Sequence, residues 1–270
     1  MLRSLKDMER YTVTASDGDL GTVENFLFDD ERWTVRDLVV QTGSIFNRRR
    51  VLISPVFFRE VEWATRSFEL ALTMDKIKGS PGVDTDKPVS RQHERDYYGY
   101  YGYPYYWGCS GTWGAGAYPD ALAPWGERAT DRGYGARDDA GDVHLRSAKA
   151  VTGYDIRGSD GSIGVVEDFL VDDETWEVRY LAINTSHWWF GKKVLVAPEW
   201  TERISWEERS VHINLTREAI KNSPPWNGIA AMNREYETML YHHYGRPAYW
   251  LKGTPLREAT MPSQAGSHSA

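Results

Sequence analysis

The 270-residue chain carries a formal net charge of −7, which argues against non-specific nucleic-acid binding, since that needs a basic footprint. Hydrophobic residues make up 41%, enough for a packed core and too many for a disordered chain. The single cysteine, Cys109, has no internal disulfide partner, so a reducing, cytoplasmic setting is expected.

In chain order, Met1 to Arg10 is charged and lacks an apolar stretch, unlike a signal peptide. No run of about 18 apolar residues marks a membrane span. Residues 11–73 read as five or six short strands, the regular spacing of a small barrel or sandwich. Asp17-Gly18 is a hairpin turn signal. Leu20–Phe28 is a strand, and Gly21 within it suggests a bulge or a close backbone approach. Asp29-Asp30-Glu31 turns the chain. Trp33–Gln41 follows, with Trp33, Val35, Asp37 and Val39 on one face and Leu38 and Val40 on the other. Ser44–Arg50 is a loop ending in a basic run. Val51–Ile53, Val56–Trp63 and Ser67–Leu72 are further strands. Thr73 then caps a short helix with Asp75 in its first turn. Gly79 is placed to close it in the left-handed conformation, and Pro81 blocks continuation.

The same pattern recurs. Ser16–Trp33 matches Ser159–Trp176 without a gap, at an offset of 160 − 17 = 143. The offset carries Thr73, Ile77 and Gly79 onto Thr216, Ile220 and Asn222, and Asn also tolerates a left-handed helix end. It carries Ser90 onto Asn233, both good helix caps, and predicts helices running to about Tyr98 and about Tyr244. Each helix ends in Tyr-Gly-x-Pro-x-Tyr-Trp, closing at Trp107 and Trp250. The alternative for this stretch is an aromatic low-complexity linker. A repeated cap and spacing favour a folded aromatic tail that covers the end of its own barrel. The chain therefore divides into a first barrel (1–83), its helix and aromatic tail (84–107), a flexible linker (108–146), a second barrel (147–226), its helix and tail (227–250), and a disordered tail (251–270).

Few constellations suggest chemistry. Asp29, Asp30, Asp172 and Asp173 lie in matched acidic triplets and are weak candidates for a divalent cation. They lack the spaced ligands of a calcium loop, and turn chemistry explains them more simply. His242-His243 point apart on a helix, and charge at a helix C-terminus accounts for them better than chelation. Glu24 and Glu167 fall on the polar face of their strands. Arg48-Arg49-Arg50 and Lys192-Lys193 follow Phe46 and Trp188-Trp189-Phe190. A solvated hairpin tip is the simpler account of these basic loops. The functional account is a protein contact through Phe46, Arg48, Arg49, Arg50, Trp188, Trp189, Lys192 and Lys193. No nucleophile–base pair or phosphate loop is recognisable, so no catalytic residue, metal or cofactor is assigned.

The repeated order resembles the PRC-barrel family. It runs from the Asp-Gly turn through Gly21-Thr22-Val23-Glu24-Asn25-Phe26-Leu27-Phe28-Asp29, Leu38-Val39-Val40 and Arg48-Arg49-Arg50 to Ile53-Ser54-Pro55. The second copy supplies Gly164–Asp172, Leu181-Ala182-Ile183, Lys192-Lys193 and Val196-Ala197-Pro198. That family includes the cytoplasmic domain of the photosynthetic reaction-centre H subunit and the C-terminal domain of a ribosome-maturation factor. The aromatic endings look like those of bacterial proteins with two such barrels. The resemblance implies a mainly β fold: two tandem small PRC-type β-barrels, each followed by short helices and an aromatic tail. It also implies a docking or assembly module, not an enzyme, whose partner protein the resemblance leaves unnamed. An internal pseudo-dimer of the two repeats is expected, because two copies of one surface suit an isologous contact. The alternative function is a small-ligand or divalent-metal-binding regulator.

Overall fold

Gly21 and Gly164 fix how closely the longest strands approach their neighbours. In the computed structural model, a Cβ at Gly21 would lie 1.9 Å from the carbonyl oxygen of Gln41, and one at Gly164 would lie 2.3 Å from that of Asn184. Any side chain there would force the strands apart. The structure describes residues 1–43, 49–82, 89–107, 109–122, 143–186 and 192–251.

The first part of the chain forms β1 (Leu2–Ser4), α1 (Leu5–Met8), β2 (Thr12–Ala15), β3 (Gly18–Asp29), β4 (Thr34–Thr42), β5 (Arg49–Ile53), β6 (Phe58–Glu62), β7 (Ser67–Leu70), α2 (Met74–Lys78), β8 (Val89–Ser90) and α3 (Arg91–Tyr101). The second repeats the order with β9 (Val143–Ser147), α4 (Ala148–Val151), β10 (Asp155–Gly158), β11 (Gly161–Asp172), β12 (Val178–Asn184), β13 (Lys193–Val196), β14 (Thr201–Ser205), β15 (Ser210–Ile213), α5 (Arg217–Asn222) and α6 (Arg234–His243). The fold is mainly β, in two sheets. One runs β5-β4-β3-β2-β7-β6 and the other β13-β12-β11-β10-β15-β14. In each, one pair of strands is parallel (β2 with β7, β10 with β15) and the other pairs along this path are antiparallel. Among the described residues no helix is long and apolar enough to cross a membrane.

The expected caps form. Thr73, Thr216, Ser90 and Asn233 each accept a hydrogen bond from the backbone N–H three residues on. Such a cap satisfies a donor that the helix itself leaves open. Gly102 closes α3 in the left-handed region (φ 74°), and Gly245 after α6 has φ 60°. Other expectations are corrected. Gly79 has φ −79° and needs no left-handed tolerance. It is small because a Cβ there would lie 2.5 Å from the Tyr100 hydroxyl, which donates to the Lys76 carbonyl at 2.7 Å. Asn222 lies inside α5, and Ser223 caps that helix. The strand expected from Val56 begins only at Phe58, after a 3₁₀ turn at Pro55–Phe57. Helix α3 runs three residues past Tyr98. Trp33 does not start its strand; it sits before it at positive φ (49°), as its repeat counterpart Trp176 does (61°).

Strand β4 has both of its faces covered: every residue from Thr34 to Val40 is buried, including Arg36 and Asp37. The strand is covered on both sides, as in a sheet enclosed by other layers. The aromatic tail supplies part of that cover: Tyr97, Tyr98 and Tyr106 are buried in the core, and Phe57 packs against Tyr97, Tyr101 and Tyr103.

Candidate functional site

The two halves are tied by exchanged arms. Strand β1 pairs with β11, Leu2 opposite Asp172 and Ser4 opposite Leu170. Strand β9 pairs with β3, Leu145 opposite Asp29 and Ser147 opposite Leu27. The two registers are related by the same offset of 143. Ser4 donates to Asp168 at 2.5 Å while also capping α1, and the Lys6 N–H donates to Asp168 at 3.1 Å. In the counterpart, Asn25 donates to Ser147 at 2.8 Å, Ser147 caps α4, and the Lys149 N–H donates to Asn25 at 3.2 Å. Burial pushes the Asp168 carboxyl above its usual range, and the bonds from Ser4, Lys6 and Phe169 pull it back down.

The acidic triplets belong to the same junction. Asp29 and Asp172 each accept two backbone N–H groups of their own turn. Asp30 pairs with Arg146, and Asp173 with Arg3, both at 2.9 Å. Arg146 stacks on Trp206 and Arg3 on Trp63, each 4.0 Å from the ring centre. The four candidate cation ligands are thus turn and arm contacts. Among the described residues no group of three or more His, Cys, Asp or Glu side chains is placed to hold a metal. Where the halves meet, Val35 N–H donates to the Trp176 carbonyl at 2.9 Å, Val178 N–H donates to that of Trp33 at 2.7 Å, and Phe28 packs on Phe169.

Of the basic-loop candidates, Phe46, Arg48, Trp188 and Trp189 lie outside the described residues. Arg49 and Arg50 belong to β5, and Lys193 to β13. Arg50 pairs with Glu24 at 2.8 Å and Lys193 with Glu167 at 2.6 Å, so the two strand glutamates are half-buried ion-pair partners. Arg49 donates to the carbonyls of Lys78 and Ser80 at 2.5 and 2.9 Å, where α2 ends. Lys192 does the same for α5, donating to Lys221 at 2.8 Å and to Ser223. Cations at a helix C-terminus satisfy carbonyls with no partner in the helix. His243 bonds the Ala219 carbonyl at 2.8 Å, the matched role of Tyr100, while His242 is exposed.

The charged residues missed in the sequence are Arg36 and Asp37. Arg36 donates to Asp29 at 3.1 Å and to the Thr112 carbonyl at 2.7 Å. Its guanidinium lies 3.7 Å from the ring centre of Tyr106 and 4.7 Å from that of Trp113, within cation–π range of both. Thus part of the expected linker belongs to the fold. Trp113 is fully buried and donates its indole N–H to the Thr175 carbonyl at 2.8 Å, Thr112 donates to Glu177 at 2.6 Å, and Arg32 donates to the carbonyls of Cys109 and Gly111. Burial pushes the Asp37 carboxyl up to about 7, against the opposing pull of Arg36 and a Tyr97 hydrogen bond. Glu94 is likewise driven up by burial to about 8, although Arg91 lies 2.9 Å away and the Tyr106 hydroxyl donates to it at 2.5 Å. The second half has Tyr180 in place of Asp37, a neutral phenol that donates to Glu237 at 2.9 Å.

A buried carboxyl of this kind makes stability fall as pH rises. Its proton is held in the folded chain and released from the unfolded one across the window between 3.8 and about 7. Between pH 5 and 7 this is about two pH units at about 1.4 kcal/mol each, on the order of 3 kcal/mol. Asp37→Asn is expected to reduce the fall in stability by about that amount and to leave the part owed to Glu94, measured by chemical denaturation of both proteins at pH 5 and pH 8. Parallel pH profiles would mean that Asp37 is already ionised in the core.

No family model matches the chain, and no curated protein matches it.

Proposed function

We propose that this chain is a non-enzymatic protein-interaction scaffold of the cytoplasm, built as an internal pseudo-dimer of two PRC-type barrels. The observation that carries this reading is the reciprocal exchange of the Leu-Arg-Ser arms, with matched registers and matched Ser–Asp and Ser–Asn bonds. It supports one body with two related surfaces, the form expected of a docking module. Asp29, Asp30, Asp172, Asp173, Arg49 and Lys192 are used as turn, arm and helix-end contacts. The junction grooves are lined by Tyr, Trp, Arg and Pro together with carboxylates such as Glu31, Glu177, Glu199, Glu60 and Glu174; of these residue types Tyr, Trp and Arg are typical of interface anchors. A second reading, a small-ligand regulator, is favoured by a cavity of about 360 Å³ lined by Glu24, Asn25, Arg50, Ser147 and Lys149 beside one arm.

Affinity capture with the full chain from its native extract is expected to return one protein in stoichiometric amount. A thermal-shift screen against divalent cations and small metabolites is expected to be flat. Capture of nothing, together with a saturable rise in melting temperature for one compound, would move the assignment to the second reading.

A further inference from the structure

Each half has a groove between an inner strand and the helix that follows its sheet: β4 under α3 in the first, β12 under α6 in the second. The first groove is closed by Tyr97 and Tyr98 of α3, by Tyr106 of the tail and by Trp113 beyond it, all fully buried. Its floor holds Asp37, whose Oδ1 is buried and has no hydrogen-bond partner among the described residues. Charged and titratable groups reach this carboxyl from each packed element. Arg36 is its neighbour on β4, and β3 brings Asp29 onto Arg36. Helix α3 brings Arg91, Glu94 and the Tyr97 hydroxyl, with Tyr98 and Tyr101 along the same helix. The tail brings Tyr106, whose hydroxyl accepts from Arg91 and donates to Glu94. On the β5 side stand the Ser54 hydroxyl, near Tyr98, and Arg49, near Tyr101.

With Asp37 and Glu94 protonated, the two guanidiniums face one carboxylate, that of Asp29; with both ionised they face three. Burial pushes both carboxyls up, Asp37 to about 7 and Glu94 to about 8, so the balance changes at and just above neutrality. Arg36 is already bonded to Asp29, and a buried charge without its own partner is costly until water reaches it. Strand β4 is fixed by ladders to β3 and β5. Helix α3 is held over it by side chains, chiefly Tyr97, which donates to the Leu52 carbonyl and accepts from the Ser54 N–H, both at 3.1 Å. The helix and its tail are therefore the part that yields first. The second groove is built differently. The offset of 143 puts Tyr180, Leu240 and Ala197 in place of Asp37, Tyr97 and Ser54. Tyr180 and Tyr249 both donate to Glu237, at 2.9 and 3.0 Å, and burial holds the Tyr180 phenol above its ordinary value of 10.

We propose that the first groove is a proton-operated latch: protonated Asp37 and Glu94 keep α3 and its aromatic tail closed on β4, and loss of those protons loosens this cover while the matched cover of the second half stays shut. The latch makes the two halves respond differently to one signal. It holds whether or not the scaffold reading does, because it rests on the groove alone.

Hydrogen–deuterium exchange of the full chain at about pH 6 and about pH 9, read by mass spectrometry and corrected for the intrinsic exchange rate at each pH, tests this. A carboxyl raised in the closed form favours that form while it keeps its proton and ceases to as pH rises through its folded value. Protection of residues 91–107 is therefore expected to fall on going to the higher pH, by at least roughly tenfold relative to the matched residues 234–250 in the same digest. Asp37→Asn should reduce that fall, and Glu94→Gln added to it should remove the rest. A ratio between the two segments that is the same at both pH values overturns the proposal. That comparison needs only the unaltered chain, so it stands even if a variant fails to fold. A folded double variant that still loses protection also overturns it, because the effect then belongs to another group, such as the partly buried His93 that the variant retains.

Discussion

Residues 1–107 expressed alone are expected to dimerise, with a melting temperature that rises with protein concentration. The fragment loses β9, so the edge of β3 at Leu27–Asp29 loses its strand partner and Asn25 loses its bonds to Ser147 and Lys149. An exposed edge of this kind is a template for another strand. The fragment also keeps an arm with nowhere to dock, because β1 normally pairs with β11 of the missing half. The arm is Leu2-Arg3-Ser4 and the strand it would replace carries Leu145-Arg146-Ser147, the same three residues. Two fragments can therefore exchange arms and rebuild both junctions, each supplying Ser4 to Asn25 of the other. Sedimentation equilibrium over a wide concentration range checks this. Ser4→Pro, which removes the arm's hydroxyl and disturbs its strand, should shift the fragment toward monomer. A fragment that stays monomeric and as stable as the full chain would show that the arms are incidental to folding.

What was legible in the sequence was what local chemistry controls. Thr73, Ser90 and Gly102 act within a few residues of themselves, and the repeat supplies each with a matched counterpart; Asp17 reaches further, its carboxylate accepting the Met74 N–H at 2.7 Å. Gly21 was readable because a glycine inside a strand has few other uses. The pairing of the arms was not, although the identity of Leu2-Arg3-Ser4 and Leu145-Arg146-Ser147 at the common offset was there to be found. Three residues at a chain end, or after a glycine- and aspartate-rich stretch, carry no mark of which sheet edge they join. The burial of Arg36 and Asp37 was not legible for a related reason. Alternation in a strand distinguishes faces only when one of them meets water, and the residues that bury this pair come from the helix at Glu94 and Tyr97 and from Trp113. Gly79 shows the converse error: the residue type was right for a helix end, but the constraint is the hydroxyl of Tyr100.

Arg36 and Arg179 occupy matched positions, and their substitution by methionine is expected to give different costs. Arg36 is fully buried, its partner Asp29 is nearly so, and its other ties reach the Thr112 carbonyl and two aromatic rings. Arg36→Met leaves the Asp29 carboxylate without its counter-charge, although Asp29 still accepts two turn N–H groups. Breaking a buried pair from one side typically costs about 3–5 kcal/mol, most of it the penalty of the charge left behind. Arg179 is 21% exposed and its partner Glu177 is 23% exposed. Water can take over both charges, so Arg179→Met should cost at most about 1 kcal/mol. Chemical denaturation of the two variants measures the contrast. Adding Asp29→Asn to Arg36→Met should recover part of the loss, because it removes the stranded charge, whereas additive losses would mean that the pair is not the source of the cost. Limited proteolysis gives an independent readout. Arg36 holds the turn at Thr112 and Trp113, so Arg36→Met should expose residues 109–122 to cleavage, while Arg179→Met should leave them protected. Equal stability losses with equal protection would show that the chain keeps its connector in the first groove by contacts other than Arg36.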